Sequence, residues 1–185
     1  SAPIAENQIS RLSKTIGWNM DKRVPLLVYN SHNDFQQTNV VRSYLPEGVE
    51  GVTEMLKNRA VVAFDGGKHD FWHVLRHELF HVYLNEYIYG GSIQSVISGR
   101  VQTRVPLWME EGMAEYASIN WNARTDMIMR DLVISSRIPE LNQLSGYLAY
   151  KGGQSFYKFL EAKYGVEKIG ELWRTLKAQH KPDKT

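Results

Sequence analysis

Apolar residues recur at helical spacing over residues 5–16, where Ile9, Leu12 and Ile16 share one side and Gly17 follows as a stop signal. Residues 24–30, Val-Pro-Leu-Leu-Val-Tyr-Asn, read instead as a short strand, with Pro25 near its start, where a missing N–H is tolerated. Pro46, Gly48 and Gly51 punctuate residues 31–51, which read as loop-rich. Residues 59–65, Arg-Ala-Val-Val-Ala-Phe-Asp, form the clearest strand, β-branched, compact and ended by Gly66-Gly67.

Helical periods dominate from there on. Asp70 is placed to cap a helix running to about Tyr89, with Val74, Leu75, Leu79, Val82 and Tyr83 as its apolar set and Gly90-Gly91 at its end. A polar connector over 92–105 leads to a helix at about 107–120, with Pro106 just before or at its first turn. Residues 125–134 read as a short helix. Residues 146–164 and 166–179 read as two more, separated by Gly165, and the tail from Lys181 reads as frayed. Strands first and helices after predict an α+β fold and not a wound parallel sheet. No repeat, Gly/Ser linker or charge block divides the chain, so residues 1–185 read as one domain.

Composition narrows the function. Hydrophobic residues make up 43% and charged residues 23%, which excludes a mainly disordered or low-complexity chain. A net charge of +2 from scattered basic residues gives no footprint for nucleic acid, so no nucleic-acid partner is expected. The absence of cysteine excludes disulfides, thiolate zinc sites, iron–sulfur clusters and cysteine nucleophiles. It fits an extracytoplasmic protein without disulfides and equally a cytosolic one. No run of eighteen apolar residues is present, so no transmembrane segment is expected. The start Ser1-Ala2-Pro3, with no leader, reads as that of a mature or excised piece. The expected setting is extracytoplasmic, periplasmic or secreted, with further domains outside the piece.

The chemistry concentrates in His77-Glu78-Leu79-Phe80-His81, an H-E-x-x-H sequence inside a predicted helix. Residues four apart lie one turn above each other, so His77 and His81 can grip one metal ion. Glu78 projects beside them, where it can take a proton from metal-bound water. Zn2+ suits such a site, since it takes imidazole and carboxylate ligands tetrahedrally and keeps one position open. His69 and His73 extend the same stripe at steps of four, but Val74 follows His73, so that pair lacks the catalytic carboxylate. Both are read as surface or cleft-rim histidines, with a weak adventitious metal site as the lesser alternative.

A catalytic zinc needs a third protein ligand. Candidates cluster in Trp108-Met109-Glu110-Glu111-Gly112-Met113-Ala114-Glu115-Tyr116, although three glutamates on one helix also describe a solvated face. Small Gly112 and Ala114 would suit a helix lying close against the metal helix. With the H-E-x-x-H sequence, this segment resembles the gluzincin metallopeptidases of the peptidase-MA-like group, including thermolysin-type and aminopeptidase-N-like catalytic domains. The resemblance implies a zincin-like fold, with a small N-terminal sheet whose edge strand lies over the zinc helix and a mainly helical C-terminal half. It also implies that Glu111, just before the glycine, is the third ligand. Glu115 would accept the free N–H of a ligand histidine, expected to be His77, while Glu110 is left as a surface charge. Thirty positions separate His81 from Glu111, more than in thermolysin or aminopeptidase N, and the excess falls in residues 90–105.

Tyr150-Lys151-Gly152-Gly153-Gln154-Ser155-Phe156 is similar to the Y-x-x-G-x-S/A-hydrophobic segment of aminopeptidase-N-like enzymes. The resemblance assigns Tyr150 as the donor to the oxyanion, with Gly152-Gly153 allowing a tight backbone turn and Tyr147 as its rival. Those enzymes also carry a G-x-M-E-N segment on the edge strand, whose glutamate holds a substrate amine. The matching strand here, 59–65, has no glutamate. The implied function is therefore zinc-dependent endopeptidase action on a peptide or protein, with Glu78 as the proton carrier. The alternatives are a catalytically silent zincin-fold module that binds or scaffolds within a larger protein, and a zinc hydrolase of a non-peptide bond.

Overall fold

The computed structural model describes residues 2–41, 45, 48–90 and 105–179. Most of the predicted connector and the predicted frayed tail lie outside these. Among the described residues the chain is α+β and mostly helical, with seven helices and one three-stranded sheet. In chain order they are α1 (Ala2–Ile16), β1 (Leu26–Tyr29), α2 (His32–Gln36), β2 (Gly51–Glu54), β3 (Arg59–Ala63), α3 (Lys68–Tyr89), α4 (Leu107–Ile119), α5 (Ala123–Ile134), α6 (Gly146–Tyr164) and α7 (Glu167–Gln179).

The sheet order is β1-β3-β2, with β1 parallel and β2 antiparallel to β3. β3 is thus the central strand. Its apolar run is explained by burial on both faces: Val61 packs with Phe35 and Leu45, and Val62 with Phe71, Leu75 and Leu79 of α3. This corrects the expectation that residues 59–65 form the edge strand over the metal helix. That edge is β2, within a stretch that reads as loop up to Gly51. β2 has four residues and a single aliphatic side chain, Val52, too little for an alternation to register. Gly51 belongs to the strand because a Cβ there would come within 2.5 Å of Val74 Cγ1 and 2.9 Å of Glu78 Cγ. Only glycine lets the strand lie this close to α3.

Asp70 is not the N-cap of α3. The helix starts two residues earlier after Gly67, which leaves Asp70 in the first turn, where its charge complements the helix dipole. Gly90, at φ 66°, ends α3 in the left-handed conformation. The short α2, also in the loop-rich stretch, is capped by the Ser31 hydroxyl, which accepts from Asp34 N.

The main core lies between α1, α3, α4, α6 and α7, around Phe80, Tyr83, Met113, Tyr157 and Trp173. α4 and α6 cross closely through two glycines. A Cβ on Gly112 would lie 2.3 Å from Gly153 Cα, and one on Gly153 would lie 1.9 Å from the Trp108 carbonyl oxygen. Gly112 therefore serves the contact with α6 and not, as its size suggested, the approach to the metal helix. Gly152 and Gly153 lie inside α6 and form no turn. The crossing sets Tyr150 and Lys151 of α6 beside Glu111 and Glu115 of α4.

Candidate metal centre

α3 and α4 supply the centre. His77 and His81, one turn apart, point their Nε2 atoms at the same spot, 3.1 Å from each other. Glu111 Oε2 reaches it from α4, 3.1 Å from His77 Nε2 and 3.3 Å from His81 Nε2. Ligand atoms around a tetrahedral ion with bonds of about 2.0–2.1 Å lie roughly 3.3 Å apart, so these spacings fit one zinc-sized ion. The three side chains are mostly buried, at 12–13% exposure.

The outer ring nitrogens are also occupied. His77 Nδ1 is 3.2 Å from Glu115 Oε1, as the resemblance implies, and His81 Nδ1 is 3.0 Å from Glu110 Oε1. A carboxylate can only accept, so each Nδ1 carries the proton and donates it. Both Nε2 lone pairs then face inward, toward a third acceptor on Glu111. Three buried acceptors aimed at one point need a cation between them. In the metal-free chain protons fill that role. Burial opposes the imidazolium at His81, but the bonds to Glu110 and Glu111 and the charges of Glu111 and Glu78 outweigh it and raise the pKa well above the ordinary value. His77 is raised for the same reason, by Glu111 and Glu115 against burial. Burial would raise Glu111, yet the two histidines pull it down to about 2.

Glu110 is therefore not the surface charge expected of it. It is partly buried and fixes the tautomer of His81. His73 stays partly exposed and turns its Nε2 inward, 2.9 Å from Glu115 Oε1. Among the described residues, His73, His77 and Glu115 form a second grouping with metal-ligand spacing. It shares His77 with the first, and its carboxylate already pairs with Lys151. That ion pair occupies the carboxylate of the second grouping, which leaves the His77, His81 and Glu111 set as the better metal site.

Glu78 and Tyr150 line the same cleft, about 260 Å³ in volume, together with Gly51, Val52 and Thr53 of β2. The Thr53 hydroxyl, 2.7 Å from Glu78 Oε2 and 3.1 Å from the Glu78 carbonyl oxygen, donates to them. The Tyr150 ring stacks on His77, with centroids 5.8 Å apart and planes 13° apart. Burial and the carboxylates of Glu111, Glu78 and Glu115 push its phenol well above the ordinary range, so it stays a donor at neutral pH. Tyr147 is half-exposed and lies outside the cleft, with the Lys151 ammonium 5.7 Å from its ring centroid.

The edge strand does carry a glutamate, Glu54. Its carboxylate accepts from Leu56 N at 2.7 Å, Lys57 N at 3.3 Å and Arg59 Nε at 2.9 Å, which closes the turn into β3. It is not part of the cleft lining. A larger groove of about 750 Å³ between α1 and residues 19–26 holds none of the site's side chains. No helix among the described residues is long and apolar enough to cross a membrane. No protein-family model, no curated protein and no solved structure matches the chain.

Proposed function

We propose that this chain is a zinc-dependent endopeptidase of the gluzincin kind, with a zincin-like arrangement of edge strand, metal helix and glutamate helix. One observation carries the reading: three buried acceptors, His77 Nε2, His81 Nε2 and Glu111 Oε2, converge with tetrahedral spacing while both outer histidine nitrogens are held by carboxylates. When bound there, zinc supplies a Lewis acid that acidifies water and polarises a carbonyl.

The chain's own groups do the rest. An extended substrate adds to the edge of β2 that no described strand pairs, through main-chain hydrogen bonds, which sets a peptide carbonyl in the cleft. Glu78, oriented by Thr53, takes a proton from the attacking water and passes it to the leaving amine. The Tyr150 hydroxyl donates to the oxygen on which negative charge grows. Among the described residues, no carboxylate of the cleft lining is left to hold a substrate amine, since Glu110 and Glu111 pair with the histidines, Glu78 with Thr53, and Glu54 is spent on its turn, and this favours cleavage within a chain.

Metal analysis tests the reading. The purified chain takes up about one equivalent of zinc, and Glu111→Ala loses most of it. A wild-type chain that binds no zinc overturns the proposal.

A further inference from the structure

Lys151 is buried, at 7% exposure, one residue after Tyr150, and the mechanism above makes no use of it. Its ammonium meets Glu115 Oε2, while Glu115 Oε1 faces His77 Nδ1 at 3.2 Å and His73 Nε2 at 2.9 Å. A buried ammonium is costly unless it is well paired. Packing alone does not call for one here, because the Gly112–Gly153 contact already sets how closely α4 and α6 approach. What needs fixing is the Glu115 carboxylate. By itself it can rotate and offer either oxygen, or both, to the two imidazoles. With Oε2 held by Lys151, Oε1 alone remains for His77 Nδ1.

We propose that Lys151 is a positioning residue of the metal centre, acting on His77 through Glu115. Holding Oε1 against Nδ1 keeps the proton there and leaves the Nε2 lone pair aimed at the metal. The same turn of α6 thus carries Tyr150 for the substrate and Lys151 for the metal, so the docking of α6 completes both halves of the site. The inference rests on the zinc reading above.

The test is the zinc dissociation constant, measured by competition with a chromophoric chelator, for the wild type, Lys151→Met, Glu115→Gln and the double variant. Lys151→Met weakens binding about 10–100-fold, the usual effect of losing such an outer partner. The double variant binds zinc no more weakly than Glu115→Gln alone, because Lys151 has no other route to the metal. An unchanged affinity in Lys151→Met overturns the inference, and so does an equal loss whether or not Glu115 is intact, which would mark a packing role. Should Lys151→Met fail to fold, Lys151→Leu, which likewise removes the donor to Oε2, replaces it in the cycle. Failure of both to fold makes Lys151 a structural strut and overturns the inference. If the wild type binds no zinc, the metal reading falls and this inference with it. If the wild type binds zinc and the cycle is additive, only this inference falls.

Discussion

Thr53 on the edge strand β2 and Glu78 on α3 share a hydrogen bond, 2.7 Å from Oγ1 to Oε2. The strand that would receive a substrate therefore also holds the group that would move its proton. A hydrogen bond to a charged group contributes about 1.5–3 kcal/mol. Thr53→Val keeps the shape and removes the donor. Steady-state kinetics on a peptide substrate should show kcat down roughly 10–100-fold with KM little changed, and Thr53→Ser should restore most of the loss.

Glu110 and Glu111 separate by the kind of loss. Glu111→Ala removes the proposed third metal ligand and should abolish stoichiometric zinc binding. Glu110→Ala removes only the partner of His81 Nδ1. Titration with zinc should still reach one equivalent, at an affinity about 10–100-fold weaker. Full affinity in Glu110→Ala would return Glu110 to the role of a surface charge.

Tyr150→Phe should leave fold and zinc content intact, since only the hydroxyl goes. A lost oxyanion donor costs about 10²–10³ in turnover. The predicted kinetic signature is a fall in kcat with little change in ground-state affinity. Wild-type turnover in Tyr150→Phe would remove the phenol from the reaction.

The metal-free chain should have a stability window set by the site's titrations. Glu111 is lowered from 4.5 to about 2, so its contribution is present above pH 4.5 and is lost as pH falls toward 2. His81 is raised above 6.5, so its contribution is complete below pH 6.5 and is lost as pH rises through the raised value. Thermal melts of the metal-free chain should therefore show these groups stabilising most between about pH 4.5 and 6.5. Zinc should remove the loss on the alkaline side, because it replaces the protons that hold the acceptors together.

His77, Glu78 and His81 were legible in the sequence because one helix turn brings them together, and local spacing alone specifies that geometry. Glu111, Glu115 and Tyr150 lie on other helices. They could be named only through the resemblance of their segments, and all three face the centre or its outer partner. Glu110, His73 and Lys151 hold contacts that the sequence alone does not disclose. Each owes its role to a partner at least 29 residues away in sequence, and a charged residue on a helix looks the same whether it meets solvent or a buried histidine. β2 is not legible in the sequence because four residues with one aliphatic side chain carry too short a pattern. Its place is set by pairing with β3 and by the fit of Gly51 against Val74 and Glu78. The central position of β3 was in principle visible, since its unbroken apolar run suits a strand covered on both faces better than an edge.

Hydrolysis of a broad peptide library by the zinc-loaded wild type and Glu78→Gln, compared at equal metal content, separates a Glu78-dependent peptidase from a silent zinc-binding module. Glutamine preserves the shape of Glu78 but cannot take up a proton. The wild type should cleave internal peptide bonds, and Glu78→Gln, with fold and zinc unchanged, should lose most of that activity, by about 10²-fold or more. A zinc-loaded wild type that cleaves nothing, or a Glu78→Gln variant that cleaves at the wild-type rate, would contradict the account.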